Sequence, residues 1–371
     1  MSDRKLLILN VATFSGTIIG VGLFSLPYIT LKVGFWVMLF YFIVLGALIY
    51  LVHKYFGEVA IKTPDFKRYP GFAKYYLGDW GEKIAFISSI IGTFGTLLAY
   101  LIVGGEFLTQ LLSPIFGGNN LIYTFIYFFI GALFIFLGIK AIQKIEFLGL
   151  ILFFVILALI FWAGKDFINI GNLFLHNHLN LKDFFLPYGA IIFSLSGVSL
   201  IPEIEENLKD KKNLLIKIIF ISILIPIIIY LFFIFLILGI CGENTTETAL
   251  TGLVNFLGYR IAVLGYLFGL ITTFTSFITM GLTLKKIFHY DLKLNERLSW
   301  FITCFIPLFL FLIGVNQFIP VISFVGGVMC GIDGILILLM YKKINPQKKI
   351  IYPLSLIFIL GIIYEIVYFI K

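Results

Sequence analysis

Long apolar runs recur from one end of the chain to the other, and short polar stretches carrying most of the Lys and Arg separate them. A helix needs about 20 predominantly apolar residues to cross a bilayer. Eleven runs meet that need, at residues 6–31, 33–56, 83–112, 121–139, 144–164, 183–202, 213–240, 256–284, 297–314, 317–341 and 351–370. No polar interval is much longer than about 25 residues, too short for a separate soluble domain. The pattern predicts an all-α polytopic membrane protein with one transmembrane domain over residues 1–371.

The first run is interrupted. It holds Gly16-Thr17-Ile18-Ile19-Gly20-Val21-Gly22, with Pro27 just beyond. Closely spaced glycines and a proline oppose a continuous helix. In hydrocarbon, broken backbone survives only where protein or a water-filled cavity receives the freed N–H and C=O groups. A break at mid-membrane is therefore a candidate binding site.

Composition agrees with the pattern. Of 371 residues, 61% are hydrophobic and 12% charged, and the mean hydropathy is +1.08. These values exclude an ordinary soluble domain. The net charge of +8 invites a nucleic-acid reading, but the cations sit in short loops between spans. With the N-terminus in the cytoplasm, all of the 27 Lys and Arg except Lys32, Lys165, Lys182, Arg260 and Lys371 fall on the cytoplasmic side. That asymmetry orients the protein. Eleven spans then put the C-terminus outside. The first run lacks a cleavage-like end, so it reads as a span and not as a signal peptide. Cys241, Cys304 and Cys330 are isolated and have no metal-type spacing. The loop at 57–82 combines Pro64 and Pro70 with Phe66, Tyr69, Phe72, Tyr75 and Tyr76. It reads as a cytoplasmic interfacial amphipathic segment or as a plain basic loop. Asn244-Thr245-Thr246 fits a glycosylation sequon, a weak three-residue match.

Transporters built from inverted repeats carry two broken helices in corresponding positions, with substrate between them. If the first repeat holds spans one to five, span six is the partner of span one. It reads from Pro187 to Pro202 with Gly197 in its middle, flanked by Ser194, Ser196 and Ser199. Exposed N–H groups at a half-helix start attract a carboxylate, and exposed carbonyls at a half-helix end attract an ammonium or Na⁺. A zwitterionic amino acid suits such a pair without any charged side chain, and span one has none between Lys5 and Lys32. Close helix packing through small residues is the plainer account of one glycine-rich segment. Two segments five spans apart, in opposite orientation, favour a site.

The run from Gly16 through Leu26-Pro27-Tyr28 resembles the first-helix motif of the amino acid–polyamine–organocation transporters. It is most similar to their amino acid/auxin permease and aromatic amino acid permease branches. Phe193-Ser194-Leu195-Ser196-Gly197, Ile201-Pro202-Glu203 and the acidic Glu205-Glu206-Asn207-Leu208-Lys209 resemble the sixth-helix motif and its continuation. The resemblance implies the leucine-transporter fold and alternating access. It gives five plus five inverted helices, about 6–164 and 183–341, and one extra helix at 351–370. It also implies a prokaryotic plasma-membrane location.

By the same resemblance Thr17, Ile18, Gly20 and Gly22 match the carboxylate-binding break. Phe193, Ser194, Ser196 and Gly197 match the ammonium-facing and lid positions. Tyr100, roughly 17 residues from Lys83 at 1.5 Å each, matches a substrate-contacting tyrosine, although a core or lipid-facing role is open. Span eight places five hydroxyls between Thr272 and Thr279. Thr272, Thr275 and Ser276 fall on one helical face and are candidate Na⁺ ligands, and sodium-coupled relatives would set the adjacent pair Thr275 and Ser276 opposite the carbonyls of Gly16 and Ile19. The alternative is hydroxyls bonded back to their own helix. Some proton-coupled relatives carry a lysine in the fifth helix, and here Phe153 stands near that place. Glu106 and Asp333 are intramembrane carboxyls able to carry a proton; an outer-interface position for Glu106 and a packing hydrogen bond for Asp333 stay open. Glu146, Glu365, His53 and His289 lie near span ends and read as interfacial.

These observations predict secondary active transport of a neutral or aromatic amino acid, coupled to Na⁺ or H⁺. The expected partners are the substrate and the lipid bilayer, with neither a nucleic acid nor an obligate protein partner. A channel would show a polar pore-lining face on several helices, and only the span-eight stripe qualifies. A metal-dependent intramembrane enzyme would pair His or carboxylates one helical turn apart; His176 and His178 are two apart in an outer loop. No phosphate-cradling Gly-Lys-Ser/Thr loop supports primary transport.

Overall fold

The computed structural model describes the backbone of residues 3–138, 142–175 and 183–370, and their side chains apart from 142–150, 210 and 370. Lys140, His176, His178, Lys182 and Lys371, with the side chains of Lys144 and Glu146, lie outside the described residues.

All regular secondary structure among the described residues is helical. In order come α1 (Asp3–Ile18), α2 (Leu26–Val33), α3 (Phe35–Lys62), α4 (Tyr69–Leu77), α5 (Asp79–Phe116), α6 (Asn120–Leu137), α7 (Ile142–Gly164) and α8 (Pro187–Leu195). They are followed by α9 (Ile201–Leu208), α10 (Leu215–Cys241), α11 (Val254–Lys286), α12 (Glu296–Leu312), α13 (Phe318–Phe324), α14 (Cys330–Ile344) and α15 (Ile351–Ile370). Among the described residues, eight stretches are long and apolar enough to cross a membrane by length and composition. A ninth is a bent pair, in which Asp3–Ile18 and Val21–Val33 meet at 51°. The 23 residues of α7 and the 17 of α12 occupy the places of the fifth and ninth expected spans.

The outer surface carries exposed large apolar side chains such as Trp36, Ile43, Phe129, Trp162 and Phe309. In water such a surface would mark aggregation; in lipid it is the expected exterior. The protein is an integral membrane protein. Inside, α5 is the central strut and packs against α11, α6, α4, α12 and α13. Small residues permit the close approach. A Cβ on Gly269 of α11 would lie 2.2 Å from the Phe107 ring of α5. Without a hydrophobic drive between helices in lipid, such fitted contacts hold the bundle together.

The loop after α3 is not a plain basic loop. Tyr69, Phe72 and Ala73 of α4 are buried, and Phe72 and Tyr69 meet Phe56 edge-on. This amphipathic helix packs on α5 and α14. α3 itself continues to Lys62, beyond the expected end at 56.

Three interruptions lie in the bundle interior. Span one breaks between α1 and a 3-10 turn at Val21–Ser25. Span six breaks between α8 and a 3-10 turn at Val198–Leu200, then resumes as α9. Span ten carries a π-helical turn, Val325–Met329, packed on α8.

Candidate functional site

The first break follows from the glycines. Ile19 N–H still reaches back to the Ser15 carbonyl at 3.0 Å, and the next closure is Leu23 N–H to Gly20 at 3.2 Å. Gly20 between them is extended, φ −128°, ψ −160°. The N–H groups of Gly20, Val21 and Gly22 therefore open a new helical turn, where no carbonyl stands one turn behind them. The second break is built alike. Ser196 is extended (ψ 131°), and the helix restarts with Leu200 N–H on the Gly197 carbonyl at 3.1 Å.

The two breaks touch. A Cβ on Gly22 would lie 2.3 Å from Ser194 Oγ and 3.0 Å from the Phe193 ring. A Cβ on Gly197 would lie 2.3 Å from the Phe14 ring and 3.1 Å from Ile18. Any larger residue at either glycine would push the half-helices apart. Tyr100 of α5 stands over this junction, its hydroxyl 3.8 Å from where a Gly20 Cβ would be.

Tyr230 of α10 fastens the junction. Its hydroxyl lies 2.8 Å from the Ile18 carbonyl and 2.8 Å from the Ser194 carbonyl. Those are the last turns of the two first half-helices, whose carbonyls lack helical partners. The ring is fully buried. One further contact ties α1 to α10. Pro226 has no N–H, so the Ser222 carbonyl one turn earlier has no helical donor, and Ser15 Oγ donates to it at 3.4 Å.

His53 holds the other side. It is fully buried, its Nδ1 is 2.8 Å from the Ile49 carbonyl, and Gly197 N–H donates to its Nε2 at 3.1 Å. The expectation of an interfacial His53 is corrected: α3 extends nine residues beyond it, which draws residue 53 into the bundle. Glu365 is corrected likewise. It is 1% exposed and its carboxyl accepts the Gly189 N–H at the start of α8, at 3.1 Å. Gly327 of the π-helical turn makes room for it.

The remaining expected site residues fall as follows. Ser194 Oγ donates to the Ala190 carbonyl at 2.7 Å. Ser196 Oγ accepts from the Cys330 thiol at 3.6 Å. Thr17 stands apart, exposed, its hydroxyl donating to the Thr13 carbonyl at 3.0 Å. In span eight, Thr272 donates to Phe268 and Gly269, and Thr275 to Ile271 and Thr272. Ser276 is half-buried on the same helix. Gly16 and Ile19 are on α1 and the start of the break, and α1 packs along α10, whereas α11 packs chiefly on α5 and α7. Phe153 packs on Phe268 of α11, ring centroids 5.4 Å apart. Glu106 accepts from Gln110 at 2.9 Å and Asn120 at 3.2 Å, in a polar cluster with Thr109. Asp333 accepts from Ser88 at 2.5 Å, and Tyr69 donates to its backbone carbonyl at 3.3 Å. Among the described residues these carboxyl partners lie on α5 and α6 and not on the broken segments. Among the described residues no group of three or more His, Cys, Asp or Glu could hold a metal ion.

Tyr230, His53 and Glu365 were missed from sequence. One aromatic among 19 tyrosines, one imidazole beside Lys54 and one carboxyl near a span end carry no distinguishing local pattern. Pro226 was the one signal, since a proline inside a long apolar run advertises an orphan carbonyl.

Comparison with solved structures shows the fold. The chain is similar to Mhp1, a nucleobase-cation-symport-1 family transporter, in its closed form with bromovinylhydantoin: TM-score 0.64, 13% identity, 88% of this chain and 76% of that one. It is similar to the inward-facing form of Mhp1, with TM-score 0.68, 13% identity and coverage of 91% and 76%. It is also similar to MhsT in complex with L-phenylalanine, with TM-score 0.60, 14% identity and coverage of 97% and 99%. These likenesses establish the leucine-transporter fold. Sequence comparison with curated proteins gives no match. The family model for tryptophan/tyrosine permeases, however, matches residues 4–367. A bundle with two facing helix breaks and a permease signature over almost its whole length is a transporter and not an enzyme. The chain belongs to the tryptophan/tyrosine permease family.

Proposed function

We propose that this chain is a cation-coupled symporter that carries a neutral, aromatic amino acid by alternating access. The observation that carries the reading is the meeting of the two breaks, Gly22 against Ser194 and Gly197 against Ile18, under one hydroxyl from Tyr230. The N–H groups of Gly20, Val21 and Gly22 suit the substrate carboxylate, and the carbonyls of Ile18, Ser194 and their neighbours suit its ammonium. Ile18, Gly20, Gly22, Tyr100, Phe193, Ser194, Ser196 and Gly197 form the substrate shell in this reading, and Thr17, exposed and bonded to Thr13, stands outside it. Phe193 and Tyr100 offer rings at the junction, where an aromatic side chain can stack. The family's description and the phenylalanine held by MhsT favour the same substrate class. Kinship with the amino acid/auxin permease branch belongs to the proposal, as do two inverted repeats at about 6–164 and 183–341 with α15 added. So do an N-terminus in the cytoplasm and a prokaryotic plasma membrane.

Purified protein in liposomes tests it. Preloaded vesicles should exchange one or more of tryptophan, tyrosine and phenylalanine by counterflow, with other amino acids scanned alongside. A Na⁺ gradient and a pH gradient, imposed separately, identify the driving ion. No counterflow with any amino acid would remove the proposal.

A further inference from the structure

The imidazole of His53 makes two hydrogen bonds that together dictate its charge. The Ile49 carbonyl can only accept, so Nδ1 carries the hydrogen at 2.8 Å from it. Gly197 N–H can only donate, so Nε2 presents its lone pair at 3.1 Å. Only a neutral imidazole satisfies both. A proton on Nε2 would set two donors face to face and break the bond to Gly197.

Gly197 is the hinge of the sixth-span break, and its movement would not stay local. Phe14 of α1 presses against it, and the same ring lies 6.1 Å from the imidazole. Imidazole, Gly197 and the first half of span one thus form one contact.

Titratable groups on the elements packed around the ring have partners of their own. Cys330 of α14 bonds Ser196, Tyr230 of α10 bonds the Ile18 and Ser194 carbonyls, and Glu205 of α9 pairs with Lys212. On α3 itself, Glu58 accepts from Tyr341 of α14 at 2.9 Å. Among the described residues none of these pairs with the ring.

We propose that His53 is a proton-binding latch on the broken sixth span, and that the proton is the cation coupled to transport. Neutral His53 holds Gly197 in the break. A proton arriving on Nε2 displaces the Gly197 N–H, frees α9 to move, and is tolerated only in a conformation that opens the imidazole to water or to an acceptor. The latch rests on the transport reading above.

The test uses proteoliposomes of the full chain, with phenylalanine, tyrosine or tryptophan as the probe and no Na⁺. A pH gradient, acid outside, should drive accumulation in wild type, up to about tenfold per pH unit for one proton per substrate. His53→Gln can accept from Gly197 and donate to Ile49 but takes no proton. It should keep measurable counterflow with a flat pH profile, and lose accumulation. H53Q that still accumulates substrate on a pH gradient overturns the latch alone. Wild type without counterflow overturns the transport reading and the latch with it. A second measurement does not depend on the variant folding. Substrate affinity of wild type, scanned from about pH 5 to about pH 9, should change through one titration, and a flat profile overturns the latch.

Discussion

Gly22 faces Ser194 across the two helix breaks so closely that a methyl group on the glycine would sit 2.3 Å from the serine oxygen. The serine cannot simply turn aside, because its hydroxyl is bonded to Ala190 and the Phe193 ring closes the other side. Gly22→Ala should therefore reduce the initial rate of counterflow by tenfold or more (about 1.4 kcal/mol or above). Ser194→Ala added to it removes the nearer atom and leaves the contact at 3.1 Å. The double variant should recover part of the lost rate. Independent, additive losses in the four-variant cycle would show that the two residues do not meet during transport.

Tyr230→Phe keeps the buried ring and deletes the hydroxyl that serves Ile18 and Ser194. The phenol carries a single hydrogen shared between the two carbonyls, and its loss leaves them without a donor to share in apolar surroundings, which costs about 1–3 kcal/mol. Heat denaturation of the purified protein in detergent should begin at a lower temperature than in wild type, and counterflow should fall. An unchanged melting profile would mean that water replaces the hydroxyl at no cost.

Glu365 and Gly189 set up a contrast between two substitutions. Glutamine can still accept from the Gly189 N–H at the head of α8, so Glu365→Gln should remain within about 1 kcal/mol of wild type. Glu365→Ala leaves that donor unpaired and opens a void against Gly327, a loss of about 2–4 kcal/mol. Thermal unfolding of both proteins in one detergent decides. Equal destabilisation would argue that the carboxyl's charge, and not its hydrogen bond, is what α8 needs.

Cys330 offers a native reporter. It is only partly buried and bonded to Ser196 at the break, whereas Cys241 and Cys304 are buried. A maleimide should label Cys330 first and inhibit counterflow, substrate should slow the labelling, and Cys330→Ser should make transport resistant. Labelling that substrate leaves unaffected would separate Ser196 from the binding shell.

The hydrophobic pattern determined a great deal by itself. A bilayer admits only helices with satisfied backbones, so apolar runs of the right length had to become spans. The breaks fall at Gly20–Gly22 and at Gly197, where glycine frees the backbone locally, whereas Gly16 stays within α1. The aromatics of 57–82 pointed to an amphipathic segment but left a plain basic loop open, and the burial of Tyr69 and Phe72 chose between them. Partner choice was beyond the sequence. Nothing near His53 in sequence announces Gly197, 144 residues away, and nothing near Glu365 announces Gly189, 176 residues away. An ionisable side chain near a span end reads as interfacial until the packing shows whether water can reach it. Tyr230 is one aromatic in an apolar run until two orphan carbonyls are seen to converge on it. Span eight shows the same limit from the other side. Its hydroxyls were visible as a stripe, yet whether they face α1 or bond to their own helix depends on how α11 sits against α5 and α7. Local chemistry fixes where the chain must break, and tertiary packing alone decides which groups receive the freed hydrogen bonds, because those groups come from elements far apart along the chain.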